Sequence, residues 1–195
     1  TDNSRAILQQ YEVDHPGFLT VFYREKNMRG SKIGNSRDLK LRAKGKYIIT
    51  LECDDFWTDP HKIEKQIDFL ETHPEYVAVA HNCTIVDENS NPTGEKYPEC
   101  KSENYTFFHY LIGIMPGQFA TWMQRNNNYN AFYDDKIHAM GLIPGDRLYY
   151  FVALCCGKVY CMQESMSAYR HILNGGSSYS ATFRYDFKRR EKWYR

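Results

Sequence analysis

In the stretch TLECDDFWTDPHK, Thr50 to Lys62, the carboxylates of Glu52, Asp54 and Asp55 crowd together directly after the apolar run YIITL. Like charges at that spacing repel. A solvated turn carries them at little cost, whereas a divalent cation turns the repulsion into ligation. Hard oxygen donors in one turn suit Mg²⁺ or Mn²⁺, which typically takes one or two carboxylates plus substrate phosphates. The helix beyond does not need these acids as caps, because Asp59 and Pro60 stand where an N-cap and a first helical residue belong. In open α/β sheets, ligands bind at the carboxyl ends of strands. The acids stand at such an end, so the metal reading is preferred to the solvated turn.

The elements that must hold this turn are legible in part. Ala6, Ile7, Leu8 and Tyr11 recur at helical spacing behind Asn3 or Ser4 as cap. FLTVFYR, Phe18 to Arg24, is β-branched and aromatic and reads as a strand. NSRDLKLRAKG gives a short helix stopped by Gly45, and KYIITLE a strand buried on both faces. From Asp59 a helix runs to just before Pro74, with Ile63, Ile67 and Leu70 as its inner stripe. YVAVAHN is a further strand, and CTIVDENSNPTG leaves it for a polar turn. YPECKSENYTFF reads as a loop, while FHYLIGI is ambiguous between helix and strand. Asp146 to about Cys156 reads as a helix ended by Gly157, and VYCMQESMSAYRH as one strand or two short ones. The order helix–strand–helix–strand–helix–strand predicts an α/β sheet with parallel neighbours.

Composition narrows the function classes. The 195 residues suffice for one sizeable core. A net charge of +1, from 25 basic and 24 acidic residues, gives no global steering toward nucleic acid. The 16 tyrosines suit sugar or base contacts as well as plain packing, and packing is preferred for most. The six cysteines form no CxxC pair, which argues against both a zinc site and a disulfide framework. Reduced thiols in a cytoplasmic protein are the expectation. No run of about 18 apolar residues is present to span a membrane.

The segment AKGKYIITLECDDFWTDPHKIEKQIDFLETHP resembles the central motif of family 2 glycosyltransferases with the GT-A fold. There a strand ending in a DxD-type signature is followed by an aromatic, a P-x-K helix start and an amphipathic helix. TDNSRAIL resembles the segment after that family's nucleotide-binding aspartate, and REKNMRGSKIGNSRDLKLRAKG its N-x-G…N…A-x-G stretch. PGDRLYYFVALCCGKVYCMQESMSAYRHILNGGSS is similar to its acidic catalytic segment and YR motif. The resemblance covers most of Thr1 to Ser178. It implies a Rossmann-like GT-A domain, a mostly parallel sheet flanked by helices, over residues 1–178. The family's first apolar strand and base-reading aspartate are not found before Thr1, and residues 179–195 form a basic, aromatic tail.

The resemblance also implies roles. Asp54 would coordinate the metal, bridging the nucleotide diphosphate. Asp55 would hold ribose, water or sugar. Glu52 stands where the family usually has aspartate and keeps its charge with one more methylene. Asp146 would be the base that deprotonates the acceptor hydroxyl, with Gly145 replacing the usual acidic neighbour; its alternative is a helix N-cap. Asn35 would lie near the nucleotide base, with Gly34 in the place of the family's arginine. His171 would complete the metal site or touch the diphosphate, against the alternative of a surface histidine. Arg170 would pair with phosphate oxygens, against the alternative of a structural ion pair. The implied activity is a metal-dependent inverting transfer from a nucleotide-diphosphate sugar to a saccharide or lipid-linked acceptor, as in bacterial cell-surface polysaccharide synthesis. Two alternatives stand beside it: a non-catalytic sugar- or nucleotide-binding protein on the same fold, and a nucleotidyltransferase. The tail, with Arg184, Lys188, Arg189, Arg190, Lys192, Trp193 and Arg195, could lie on an anionic membrane or remain solvated.

Overall fold

A computed structural model of the chain describes residues 3–25, 35–126 and 145–172. The basic tail and the glycine–serine stretch before it lie outside the described residues. The chain divides into two compact units, Thr1–Arg42 and Ala43–Arg195.

The first unit holds helix α1 (Ser4–Asp14) and helix α2 (Asn35–Arg42). The Phe18–Arg24 stretch runs between them without regular structure, correcting the expected strand. A lone strand gains little without a ladder partner, and this segment is tied down by side chains instead. Tyr23 donates its hydroxyl to Glu12 Oε2 at 2.7 Å, and Arg24 pairs with Asp38. The Arg42 guanidinium lies over the Phe22 ring at 4.7 Å.

In the second unit, β1 (Tyr47–Ile49), β2 (Phe56–Trp57), helix α3 (Lys62–Thr72) and β3 (Tyr76–Val86) come first. Then follow β4 (Asn104–Tyr105), helix α4 (Phe107–Leu111), a 3₁₀ turn at Phe119–Thr121 and β5 (Met123–Arg125). Helix α5 (Gly145–Cys156) and the long β6 (Lys158–Arg170) close the described chain. The sheet order is β1-β5-β3-β6-β2, with β4 also on β6.

The α/β class holds, but strand polarity differs from the mostly parallel expectation. Among the described strands only the central pair, β3 and β6, is parallel. The β1/β5, β3/β5, β2/β6 and β4/β6 ladders are antiparallel. The helical crossover through α3 does leave β1 and β3 running in the same direction. The short β5 is inserted between them and satisfies both edges. Parallel neighbours need long crossovers, and two- or three-residue strands such as β2, β4 and β5 can pair without them.

The sheet is covered on both faces. Leu70 of α3 packs with Val79 and Met123 on one side, flanked by Ile67 and Phe69. On the other, Leu148, Tyr149, Val152 and Ala153 of α5 pack on Val77, Ala80, Val159 and Trp122. Each such Leu or Val side chain withdrawn from water contributes about 1.5–3 kcal/mol. Gly157, at the turn from α5 into β6, is forced by close approach, since a Cβ there would lie 2.6 Å from Val77 Cγ1.

Two details of α3 depart from the sequence reading. Its buried stripe is Lys62, Gln66 and Leu70, while Ile63 is 39% exposed. Asp59 does not cap the helix itself. Its Oδ1 accepts the His61 N–H at 2.8 Å, closing the turn before the first helical residue. Strand β1 is half-buried throughout, not buried on both faces. Among the described residues, no helix is long and apolar enough to cross a membrane.

Candidate active site

The acidic turn is held from three directions. Asp55 is 7% exposed and uses both carboxylate oxygens inside the protein. Its Oδ1 accepts the Arg170 backbone N–H at 2.9 Å, from the end of β6. Its Oδ2 accepts from Gln118 Nε2 at 3.0 Å, ahead of the 3₁₀ turn. Burial, above all, pushes the Asp55 carboxyl up to about 6. Asp55 thereby joins the turn to two neighbouring segments.

Arg170 completes the clasp. Its Nε donates to the Asp54 carbonyl at 3.0 Å, and Nη1 to the Asp87 and Glu88 carbonyls at 3.0 and 2.9 Å. Nη2 donates to Ser90 Oγ at 3.0 Å. The guanidinium spans the acidic turn and the polar turn after β3. This explains why an arginine stands there, since a fork of fixed donors can bridge several carbonyls and a lysine cannot. These contacts give Arg170 a positioning role toward the acidic turn.

Asp54 is different. It is exposed, and among the described residues none donates a hydrogen bond to its carboxylate. Glu52 is exposed as a residue, but its Oε2 reaches inward to Gln118 Nε2 at 3.3 Å. Burial raises the Glu52 carboxyl, and the charges of Asp55, Asp54 and Asp146 raise it further. Asp146 stands in the first turn of α5 and bears on Glu52 through its charge alone. Asp146 Oδ1 accepts the Arg147 N–H at 2.8 Å. Tyr97 is half-buried near these acids. Its hydroxyl is pushed above the ordinary tyrosine range by burial and then by Asp146 and other neighbours, Glu52 among them.

His171 follows Arg170 directly. Its Nδ1 pairs with Glu95 Oε2 at 2.8 Å, and its ring stacks on Tyr169, whose own ring meets Tyr97 edge-on. A carboxylate on one imidazole nitrogen is the usual way to orient the other toward a metal. Glu95 would give His171 that orientation, leaving Nε2 for a ligand. Among the described residues, no three His, Cys, Asp or Glu side chains are arranged as a closed metal cluster. The donor set nonetheless fits a cation that takes few protein ligands. Asp54 offers a hard carboxylate that accepts no hydrogen bond among the described residues, and the charges of Asp54 and Asp146 act on Glu52 beside it.

Asn35 belongs to the first unit, where its Oδ1 accepts from Arg24 Nε at 3.2 Å. The residues that sequence reasoning missed are Gln118, Tyr97, Tyr169 and Glu95. Each sits in or beside loops whose path one sequence does not reveal. The Pro-Gly pair before Gln118 is a turn signal but carries no sign of a site.

A family model described as glycosyl transferase family 2 matches residues 1–154. The chain belongs to glycosyl transferase family 2. It is 31% identical over 175 residues to an uncharacterized protein of Mycobacterium tuberculosis, covering 90% of this chain and 48% of that one. It is 41% identical over 71 residues to the putative teichuronic acid biosynthesis glycosyltransferase TuaG of Bacillus subtilis, covering 36% of this chain and 26% of TuaG. Its fold is similar to the crystal structure of S. aureus TarS 1-349, with a TM-score of 0.61 at 16% identity, over 88% of this chain and 48% of that one. The chain spans about half the length of the mycobacterial relative and of the TarS 1-349 chain. The family membership and the α/β fold expected from the sequence are thus borne out.

Proposed function

We propose that this family 2 chain carries the donor-binding and catalytic core of a metal-dependent inverting glycosyltransferase. It would move a sugar from a nucleotide-diphosphate sugar to a saccharide or lipid-linked acceptor, in the making of a cell-surface polysaccharide. The likeness to TuaG supports the polysaccharide part of this reading. The observation that carries the chemistry is the acidic turn itself, clasped through Asp55 and Arg170 while the Asp54 carboxylate accepts no hydrogen bond among the described residues.

The roles divide as follows. Asp54, with His171 Nε2, would hold Mg²⁺ or Mn²⁺, which when bound neutralises charge on the departing nucleoside diphosphate. Asp146 accepts the proton of the acceptor hydroxyl as that oxygen attacks the anomeric carbon. The new glycosidic bond forms on the face opposite the breaking bond to phosphate oxygen, so configuration inverts. Arg170, Asp55 and Gln118 fix the turn, so Asp54 keeps its place while charge moves past it.

Incubation with nucleotide sugars tests this reading. Release of nucleoside diphosphate, lost in both Asp54→Ala and Asp146→Ala, is the expected result. Pyrophosphate as product would indicate nucleotidyl transfer. Binding without any turnover would leave a sugar- or nucleotide-binding module.

A further inference from the structure

We propose that Gln118 is a positioning residue that sets Glu52 against the hydroxyl groups of the nucleotide sugar, and that the two side chains act as one coupled unit; this rests on the site reading above. Glu52 is one methylene longer than aspartate. That extra reach brings its Oε2 to 3.3 Å from Gln118 Nε2, the same nitrogen that donates to Asp55 Oδ2 at 3.0 Å. An aspartate at position 52 would fall short by about one carbon–carbon bond, roughly 1.5 Å. The amide would then serve Asp55 alone.

Gln118 is built as a fixed donor. It is 3% exposed, and its Oε1 accepts the Ala120 N–H at 2.6 Å, which settles which end of the amide is nitrogen. Turned over, the amide would aim its oxygen at two carboxylates and its NH₂ at another N–H. The backbone is pinned as well. Thr121 Oγ1 donates to the Gln118 carbonyl at 2.7 Å, and Thr121 N–H to the same carbonyl at 2.9 Å. Gly117 passes so close to β3 that a Cβ there would lie 2.5 Å from the His81 carbonyl.

The result is one fixed NH₂ group that donates to two carboxylates. It holds Glu52 by a single oxygen, and the second, Oε1, receives no hydrogen bond from the described residues. A carboxylate oxygen of an exposed residue, held at a fixed point two residues from Asp54, is suited to accept from a ribose or sugar hydroxyl.

A double-mutant cycle tests the coupling. Glu52→Asp, Gln118→Met and the double variant are compared by calorimetric binding of UDP- and GDP-sugars with Mn²⁺ present, and by KM and kcat. Each single change is expected to weaken donor binding and raise KM about tenfold, with kcat altered less. The double variant should be little worse than either single, a departure of about tenfold from multiplicative behaviour. Gln118→Glu keeps the acceptor for Ala120 but turns a carboxylate oxygen toward Asp55 and Glu52, so it should raise KM at least as much, and thermal unfolding of each variant shows whether it has folded. Multiplicative losses, about a hundredfold in the double variant, would overturn the proposal. So would a loss of thermal stability with KM unchanged, since a merely structural glutamine gives that. A wild-type chain that binds no nucleotide sugar would overturn the site reading itself, and this proposal with it.

Discussion

Lys62 is a charge carried into the core. It is 1% exposed on the buried stripe of α3. Its Nζ donates to Gln66 Oε1 at 2.9 Å and lies 4.5 Å from the centre of the Trp57 ring. The two nearest acids in sequence pair elsewhere, Glu64 with His61 and Asp59 with Lys65. Burial lowers the Lys62 ammonium from 10.5 to about 7. At about 1.36 kcal/mol per pH unit, that gap amounts to roughly 4–5 kcal/mol against carrying the charge into the fold. The unfolded chain keeps this proton up to about pH 10.5, whereas the folded chain releases it near pH 7. Folding therefore releases a proton between those limits, and stability rises with pH across the window. Below about pH 7 the penalty is fully present. His81, whose burial lowers it to about 3, stays neutral throughout and adds nothing there.

Lys62→Met removes the charge and keeps the length of the side chain. It leaves Gln66 Oε1 without its donor, a cost of about 1–3 kcal/mol. Sulfur over the Trp57 ring retains part of the contact. The net expectation at pH 7 is a gain of about 1–3 kcal/mol, or a rise of roughly 2–10 °C in Tm. Urea unfolding of both proteins from pH 7 to 10 is the assay. The wild type should gain stability over the variant's curve by about 4 kcal/mol as pH rises. Parallel curves, or a variant less stable at pH 7, would refute the argument.

Other outcomes follow from the same geometry. Asp146→Asn should lower turnover by about 10²–10⁴ while nucleotide binding, read by calorimetry, persists. Arg170→Ala should raise the donor KM about tenfold by freeing the acidic turn, and Arg170→Lys should not restore it, because one ammonium cannot bridge the carbonyls of Asp54, Asp87 and Glu88. In maleimide labelling followed by mass spectrometry, Cys53, Cys155 and Cys156 should react fast, whereas Cys100 and Cys161 should await unfolding.

The acidic turn was legible because its chemistry is local: three carboxylates after an apolar run, followed by a helix start. The same locality revealed α3, α5 and the two long strands. Lys62 and Gln66 misled, because a stripe of apolar residues is the usual sign of a buried face, and here a polar pair occupies it beside Ile67. The inserted β5 could not be read, since MQR carries too few residues to announce a strand or its direction. Asp55 and Arg170 were found but given contacts with ligand. Their partners, the Gln118 amide and the carbonyls after β3, lie 63 and 82–83 residues away in sequence. Spacing alone does not show which acid in a cluster faces inward.

The central claim is that the acidic turn holds a metal for a nucleotide sugar. A thermal-shift panel on this chain, with UDP, GDP, dTDP and CDP each with and without Mn²⁺, tests it most directly. A nucleotide at about a hundred times its dissociation constant stabilises by roughly 2.7 kcal/mol. One nucleotide that stabilises only with metal, and no longer does so in Asp54→Ala, is the expected result. Stabilisation by none, or by one that ignores both metal and Asp54→Ala, would contradict it and return Glu52, Asp54 and Asp55 to a solvated turn.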